Sequence, residues 1–184
     1  MKVLIDACVL YPTVLRELVL GVAATGAFQP LWSDRILEEW RRAAVRRSER
    51  DGQIAAGEIA LAKAKFSDAA VPANPATEAQ LYLPDEDDIH VLAAAIDGQA
   101  DALLTLNIKD FPTNTLSEHG ILRRHPDEFL LEQAHADRDK VQRIVEDVLA
   151  QAGAHGIDVS NPRALLKRAK LPRLGKFLFP KNET

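Results

Sequence analysis

The sequence predicts an α/β fold built on a central parallel sheet, with a helical extension at its C-terminal end. Three observations carry this prediction. Short apolar runs, "KVLID", "PLW" and "ALLTLN", alternate with segments of helical spacing, which is the pattern of strands joined by crossover helices. The first run places three aliphatic residues in succession without a polar alternation, as in a strand covered on both faces. Beyond Asp137 only helical spacing is found. The boundary therefore falls near residues 130–137, giving a domain over 1–132 and an extension over 133–184.

Taken in order, "KVLID" is a buried strand with Asp6 at its carboxyl end. Thr13 to about Ala24 is a helix with Val14, Leu15, Leu18, Val19 and Val22 on its apolar face, stopped by Gly26. "PLW" is a short extended piece. The helix after it is capped by Ser33 and buries Ile36, Leu37, Trp40 and Ala44. Polar Arg50 to Gly52 is expected to break it, with a further helix from Ile54 to Phe66. Pro72, Pro75 and Pro84 make the next segment mostly loop. An Ala-rich helix follows from Asp88 to Ile96, ended by Gly98, and a strand from Ala102 to Asn107. Ile121–Arg123 is extended, and a helix starts near Pro126. The extension holds helices over Asp137–Ala150 and in "NPRALLKRA", where Asn161 caps and Pro162 takes the first helical position.

Composition narrows the class. With 184 residues and 47% hydrophobic residues, the chain can bury one core of ordinary size. The single cysteine, Cys8, cannot form an internal disulfide, and no run is long enough to cross a bilayer, so a cytoplasmic, membrane-free protein is expected. The net charge of −4 is unevenly spread. Of the 23 basic and 27 acidic residues, seven basic (Arg163, Lys167, Arg168, Lys170, Arg173, Lys176, Lys181) and one acidic (Glu183) lie in 163–184, leaving 16 against 26 before it. An acidic body carries a basic tail.

The acidic residues are also placed oddly. Asp85, Glu86, Asp87 and Asp88 stand in a row before an apolar helix. A helix N-terminus rewards one or two carboxylates, and Asp85 is a good cap, but four exceed that need. Side chains at the carboxyl ends of parallel strands converge on one crevice. Asp6 and Asn107 occupy such ends, Asp110 follows closely, Asp88 opens the helix leading to the Asn107 strand, and Glu38 or Glu39 lies on an amphipathic helix. Each acid taken alone has a bland role as a cap, turn or solvated residue. Asp6 fits one least, because an acid ending an apolar strand needs a partner or a cation. Carboxylates without His or Cys in their motifs form a hard-oxygen site suited to Mg²⁺ or Mn²⁺. His90, two residues past Asp88, reads as a packing or surface residue, and Cys8 as a small buried group beside the site. Haloacid-dehalogenase-like phosphatases need an Asp where Cys8 stands, and receiver domains need an acidic pair at the first strand. Metal-assisted phosphodiester hydrolysis is the use left.

The ordered set "LIDACVLYP", "SDRILEEWRR", "DEDDIHVLAAAIDGQADALLTLNIKDFP" and "HPDEFL" resembles PIN-domain ribonucleases, in particular the VapC-like toxins of toxin–antitoxin pairs, over about residues 1–132. The resemblance implies a PIN-like three-layer domain and a Mg²⁺- or Mn²⁺-dependent endoribonuclease in which a metal-activated water cuts RNA. It also implies a cognate antitoxin covering the acidic groove, and commonly a homodimer. It makes Asp6, Glu39, Asp88 and Asp110 the catalytic and metal-binding acids, with Asp85, Thr105 and Asn107 in support. The sequence departs from the pattern at Cys8, where many members carry Asn, Ser or Thr as a hydrogen-bonding group, and at Asn107, where many carry Asp. The alternatives are a housekeeping RNA-processing or DNA-directed nuclease of the same fold, and a non-catalytic binding module. Lys167, Arg168 and Lys170 are candidate RNA contacts. The competing role for their segment is a helical cap packed through Leu165, Leu166, Leu171, Leu174, Phe177 and Leu178.

Overall fold

Val3, Leu4 and Ile5 are wholly buried, as an apolar run with parallel neighbours on both sides must be. In the computed structural model, which describes residues 1–180, this run forms β1 (Lys2–Ile5). A one-turn helix α1 (Ala7–Leu10) and then α2 (Thr13–Ala24) follow. Next come β2 (Gln29–Ser33), α3 (Asp34–Arg47), α4 (Glu49–Lys65), β3 (Ala70–Val71) and α5 (Pro75–Glu78). A 3-10 turn over Glu86–Asp88 runs into α6 (Ile89–Asp97), followed by β4 (Ala102–Leu104), α7 (Thr113–Glu118) and β5 (Leu122–Arg124). The rest is helical: α8 (Pro126–Ala136), α9 (Arg138–Ala154), α10 (Pro162–Arg168) and α11 (Pro172–Leu178).

The five strands form one all-parallel sheet in the order β3-β2-β1-β4-β5, flanked by helices, so the predicted fold class is the one adopted. The chain winds outward from β1 through β2 to β3, then returns to the other side of β1 for β4 and β5. That reversal opens a crevice at the carboxyl ends of β1 and β4, the usual ligand position in open α/β sheets. No helix among the described residues is long and apolar enough to span a membrane.

Two compact units result. The first holds Met1–Tyr11 and Phe28–Arg124, and so the whole sheet. The second holds Pro12–Ala27 and the chain from His125 onward. Within the second unit, α2 packs on α8 and α9. Leu165, Leu166, Leu171, Leu174 and Leu178 are all buried. Phe177 stacks against His135 at 4.4 Å and lies under the Arg138 guanidinium. The buried Asp127 accepts hydrogen bonds from the Arg173 and Leu174 amides at 3.0–3.1 Å, supplying the first turn of α11 with the acceptor its own sequence lacks. Lys167, Arg168 and Lys170 are exposed. Lys181, the last cation of the expected tail, and Glu183 lie outside the described residues.

Local differences from the expected elements have identifiable causes. The break after α3 falls at Ser48, not at Arg50–Gly52, because the Ser48 hydroxyl accepts from the Asp51 amide and starts α4. Gly52 is then inside a helix, at a point where α4 meets α3 so closely that a Cβ would collide with the Val45 side chain. β4 stops at Leu104 instead of reaching Asn107, because the Thr105 hydroxyl takes the Asn107 amide at 2.9 Å and turns the chain.

Gly98, at the C-terminal end of α6, has an ordinary backbone conformation, with φ −74°. Its side is the crowded one: a Cβ there would sit 2.9 Å from the Ala94 carbonyl and 2.9 Å from the Val71 methyl. Gly98→Ala should therefore lower stability by about 1–3 kcal/mol, measured by urea denaturation, even though Ala is the better helix former.

Candidate active site

The site is assembled from the crevice outward. β1 ends at Ile5, and the Asp6 amide continues the ladder by donating to the Leu104 carbonyl at 3.1 Å. This fixes Asp6 and Thr105 side by side. The buried Thr105 hydroxyl donates to Asp6 Oδ2 at 2.7 Å, and the Cys8 thiol donates to the same oxygen at 3.0 Å. Cys8 Sγ in turn accepts from the Leu106 amide at 3.2 Å. The cysteine thus supplies the supporting hydrogen bond that its departure from the family pattern had left open. Burial, then the neighbouring Asp6 charge, pushes the Cys8 thiol up to about 12, so it stays protonated and acts as a donor.

Asp88 ends the 3-10 turn that leads into α6 and is half-buried. Its carboxyl is raised from the ordinary value to about 6, first by desolvation and then by the charges of Asp6, Asp85, Asp110 and Glu39. That set contains all four expected catalytic acids and Asp85, so one electrostatic cluster joins them. Asp85, Asp88 and Asp110 are the tightest part, with carboxylate oxygens all within 4.8 Å of one another. Asp85 also caps the 3-10 turn through the Asp87 amide at 3.0 Å, as its sequence position suggested. Asn107 Nδ2 donates to Asp88 Oδ2 at 3.4 Å, a long contact that places the amide at the rim of the cluster. Glu86 and Asp87 are exposed.

Glu38 and Glu39 are equally exposed but have different partners. Glu38 is held down to about 2 by hydrogen bonds from Arg41 and Arg42 on its own helix, at 2.7–2.9 Å. Glu39 Oε1 lies 2.7 Å from Nε2 of His90 and 3.7 Å from the Arg35 guanidinium. The approach to His90 lies off the ring N–H direction, so it is a close contact and not a well-aligned hydrogen bond. His90 is buried, as a packing residue would be, but its contact with Glu39 was missed in the sequence reading. The available signal was its place two residues after Asp88, on the helix that presents that acid. Lys167, Arg168 and Lys170 belong to the second compact unit.

The donor chemistry fits a hard divalent cation. Three carboxylates meet at close range with an amide beside them, the thiol is protonated, and the imidazole faces a glutamate. Such a set suits Mg²⁺ or Mn²⁺ and lacks the thiolate or free imidazole that zinc prefers.

A family model described as PIN domain matches residues 2–109, more than half of the chain. The chain belongs to the PIN-domain family. It is also 38% identical over 58 residues to "Putative ribonuclease VapC50" of Mycobacterium tuberculosis, a stretch covering 32% of this chain and 34% of that protein. The chain therefore matches about a third of that relative's length. No solved structure matches.

The raised Asp88 carboxyl sets a pH dependence. A carboxyl whose folded pKa lies above its unfolded value favours the native state when protonated. This contribution is complete below about pH 4 and is lost as pH rises through about 6. Without divalent ions, Asp88→Asn should melt above the wild type at pH 8, with the gap closing toward pH 4 in a thermal-denaturation series. Added Mn²⁺ should raise the wild-type melting temperature and leave the variant nearly unmoved.

Proposed function

We propose that the chain is a Mg²⁺- or Mn²⁺-dependent endoribonuclease, the toxin of a toxin–antitoxin pair, working in the cytoplasm on RNA. The observation carrying this reading is the meeting of the Asp85, Asp88 and Asp110 carboxylates within 4.8 Å in a PIN-domain chain. Crowding of this kind costs stability unless a cation neutralises it. The partial likeness to a protein named as a ribonuclease supports the choice of RNA over other phosphodiesters. We assign the chemistry to residues 1–132 and an accessory role to 133–184. A cognate antitoxin covering the acidic crevice, and a homodimer, belong to the same reading.

Asp6, Glu39, Asp88 and Asp110 would hold the ion, with Asp85 beside them. When bound, Mg²⁺ or Mn²⁺ supplies charge neutralisation at the scissile phosphate and lowers the pKa of water. The residues do the rest. Thr105 and Cys8 together hold Asp6 Oδ2. His90 packs its Nε2 edge against Glu39. Asn107 is placed to orient Asp88 through its amide. In-line attack of water on phosphorus breaks the bond to the 3′ oxygen, and the products are a 5′ phosphate and a 3′ hydroxyl.

Induction of the wild type in cells, followed by mapping of RNA 5′ ends, tests the reading directly. New 5′-phosphate ends at defined sites are expected, and Asp6→Ala and Asp88→Asn should abolish them while remaining folded. Asp85→Ala should cost about 1 kcal/mol through the lost cap and keep much of the activity. A folded but inactive Asp85→Ala protein would promote Asp85 from support to ligand.

The exposed Lys167, Arg168 and Lys170 would offset the repulsion between an acidic body and a polyanion. Arg173, by contrast, is already paired with Glu128 at 2.9 Å. Replacing Lys167, Arg168 and Lys170 by Gln should weaken RNA binding and flatten its salt dependence by about one unit of slope per lost phosphate contact. An unchanged affinity and slope across a salt series would leave these helices with the packing role alone.

A further inference from the structure

Of the three carboxylates that meet most closely, two sit on regular structure and one does not. Asp88 ends the 3-10 turn that runs into α6, and Asp85 caps that turn through the Asp87 amide. Asp110 belongs to residues 105–112, the irregular stretch between β4 and α7, and is the one acid in it. Carboxylates with oxygens within 4.8 Å repel one another. An acid on a loose turn would relax away from the other two unless something held the turn.

The turn does not hold itself. At the start of the stretch the Leu106 amide donates to Cys8 Sγ at 3.2 Å and the Asn107 amide to the Thr105 hydroxyl at 2.9 Å. Over residues 108–111, among the described residues, no backbone–backbone hydrogen bond closes the turn. Its carbonyls go to one side chain instead. Arg123 Nη1 donates to the Ile108 carbonyl at 2.8 Å and to the Phe111 carbonyl at 2.7 Å. These are charge-assisted bonds, stronger than those between neutral groups.

Arg123 makes them from β5, where it lies opposite Leu103 of β4 in the parallel ladder. Its half-buried side chain thus ties the turn to the sheet, while the wholly buried Phe111 anchors the far end in the core. The two carbonyls it takes bracket Lys109 and Asp110 in sequence. Both bonds end on backbone, so the cation fixes the turn and leaves the Asp110 carboxylate to the cluster.

We propose that Arg123 is a positioning residue for the ion: it clamps residues 108–111 so that Asp110 stays beside Asp85 and Asp88 against their repulsion. Its action runs through the backbone of that turn. The proposal rests on the metal-dependent reading above, and it gives a role to a residue outside the 2–109 matched by the PIN-domain model.

Calorimetric titration of the full chain with Mn²⁺ tests it, on the wild type, Arg123→Gln, Arg123→Lys, Asp110→Asn and the Arg123→Gln, Asp110→Asn pair, each first shown to be folded by circular dichroism. Arg123→Gln should bind Mn²⁺ about 10–100-fold more weakly, the usual loss when a group that orients a metal ligand is removed. Arg123→Lys keeps a cationic donor for one of the carbonyls and should fall between. In the Asp110→Asn background, Arg123→Gln should cost nothing further, because the carboxylate it positions is gone. A staple serving only stability would not behave so, since its loss would weaken binding equally in both backgrounds. A folded Arg123→Gln protein with wild-type Mn²⁺ affinity, or a pair whose losses multiply, overturns the role of Arg123 while the metal site stands. Should Arg123→Gln fail to fold, the same cycle with Arg123→Lys decides: an unchanged affinity or multiplied losses again overturn the role. A wild type that takes up no Mn²⁺ overturns both this role and the metal-dependent reading.

Discussion

The parallel pairing of β1 with β4 is the constraint from which the site follows. Its last hydrogen bond, from the Asp6 amide to the Leu104 carbonyl, aligns the two strand ends, so the Thr105 hydroxyl meets the Asp6 carboxylate at 2.7 Å. A slip of one residue would turn Thr105 to the other face of the sheet and leave Asp6 without that donor. The interior of this pair is apolar, with Val3, Leu4, Ile5, Leu103 and Leu104 sealed from solvent. Polar chemistry is thereby confined to the carboxyl edge, where the chain leaves the sheet and backbone groups are free to turn.

Around that edge the protein tolerates a cluster of like charges. A threonine hydroxyl and a thiol face Asp6, an asparagine amide faces Asp88, and a histidine ring faces Glu39. The hydroxyl, thiol and amide carry no charge of their own, so they leave the charge of the acid they touch uncancelled. Glu38 shows the alternative, since two arginines hold it and it takes no part in the crevice. Arg41 and Arg42 bind Glu38 at 2.7–2.9 Å, whereas Arg35 reaches Glu39 only at 3.7 Å, so the adjacent glutamates on one helix differ in how tightly a cation holds them.

Much of this was legible in the sequence because it depends on local rules. An acid at the end of an apolar run, a serine before an amphipathic segment, and Asn-Pro at a helix start each have one dominant physical reading, and Asp6, Ser33 and Asn161 follow it. What was not legible depends on partners distant in sequence. Gly52 looks like a breaker until α3 is seen lying against it. Asp127 looks like a first-turn acid of its own helix until its oxygens are found on amides 46 and 47 residues away. His90 could be placed on its helix by spacing, but which acid it faced depended on the packing of α3.

The position of α2 has a consequence for synthesis. Its apolar face is made early, yet its packing partner α9 begins at Arg138, roughly 110 residues later. At translation rates of about 5–20 residues per second, the face goes uncovered for on the order of ten seconds. Over most of that time the strands of the sheet are emerging in order and can pair as they appear. The first unit can therefore assemble while α2 still waits for the rest of the second, which makes Leu15, Leu18, Val19 and Val22 the surface most in need of shelter on a nascent chain.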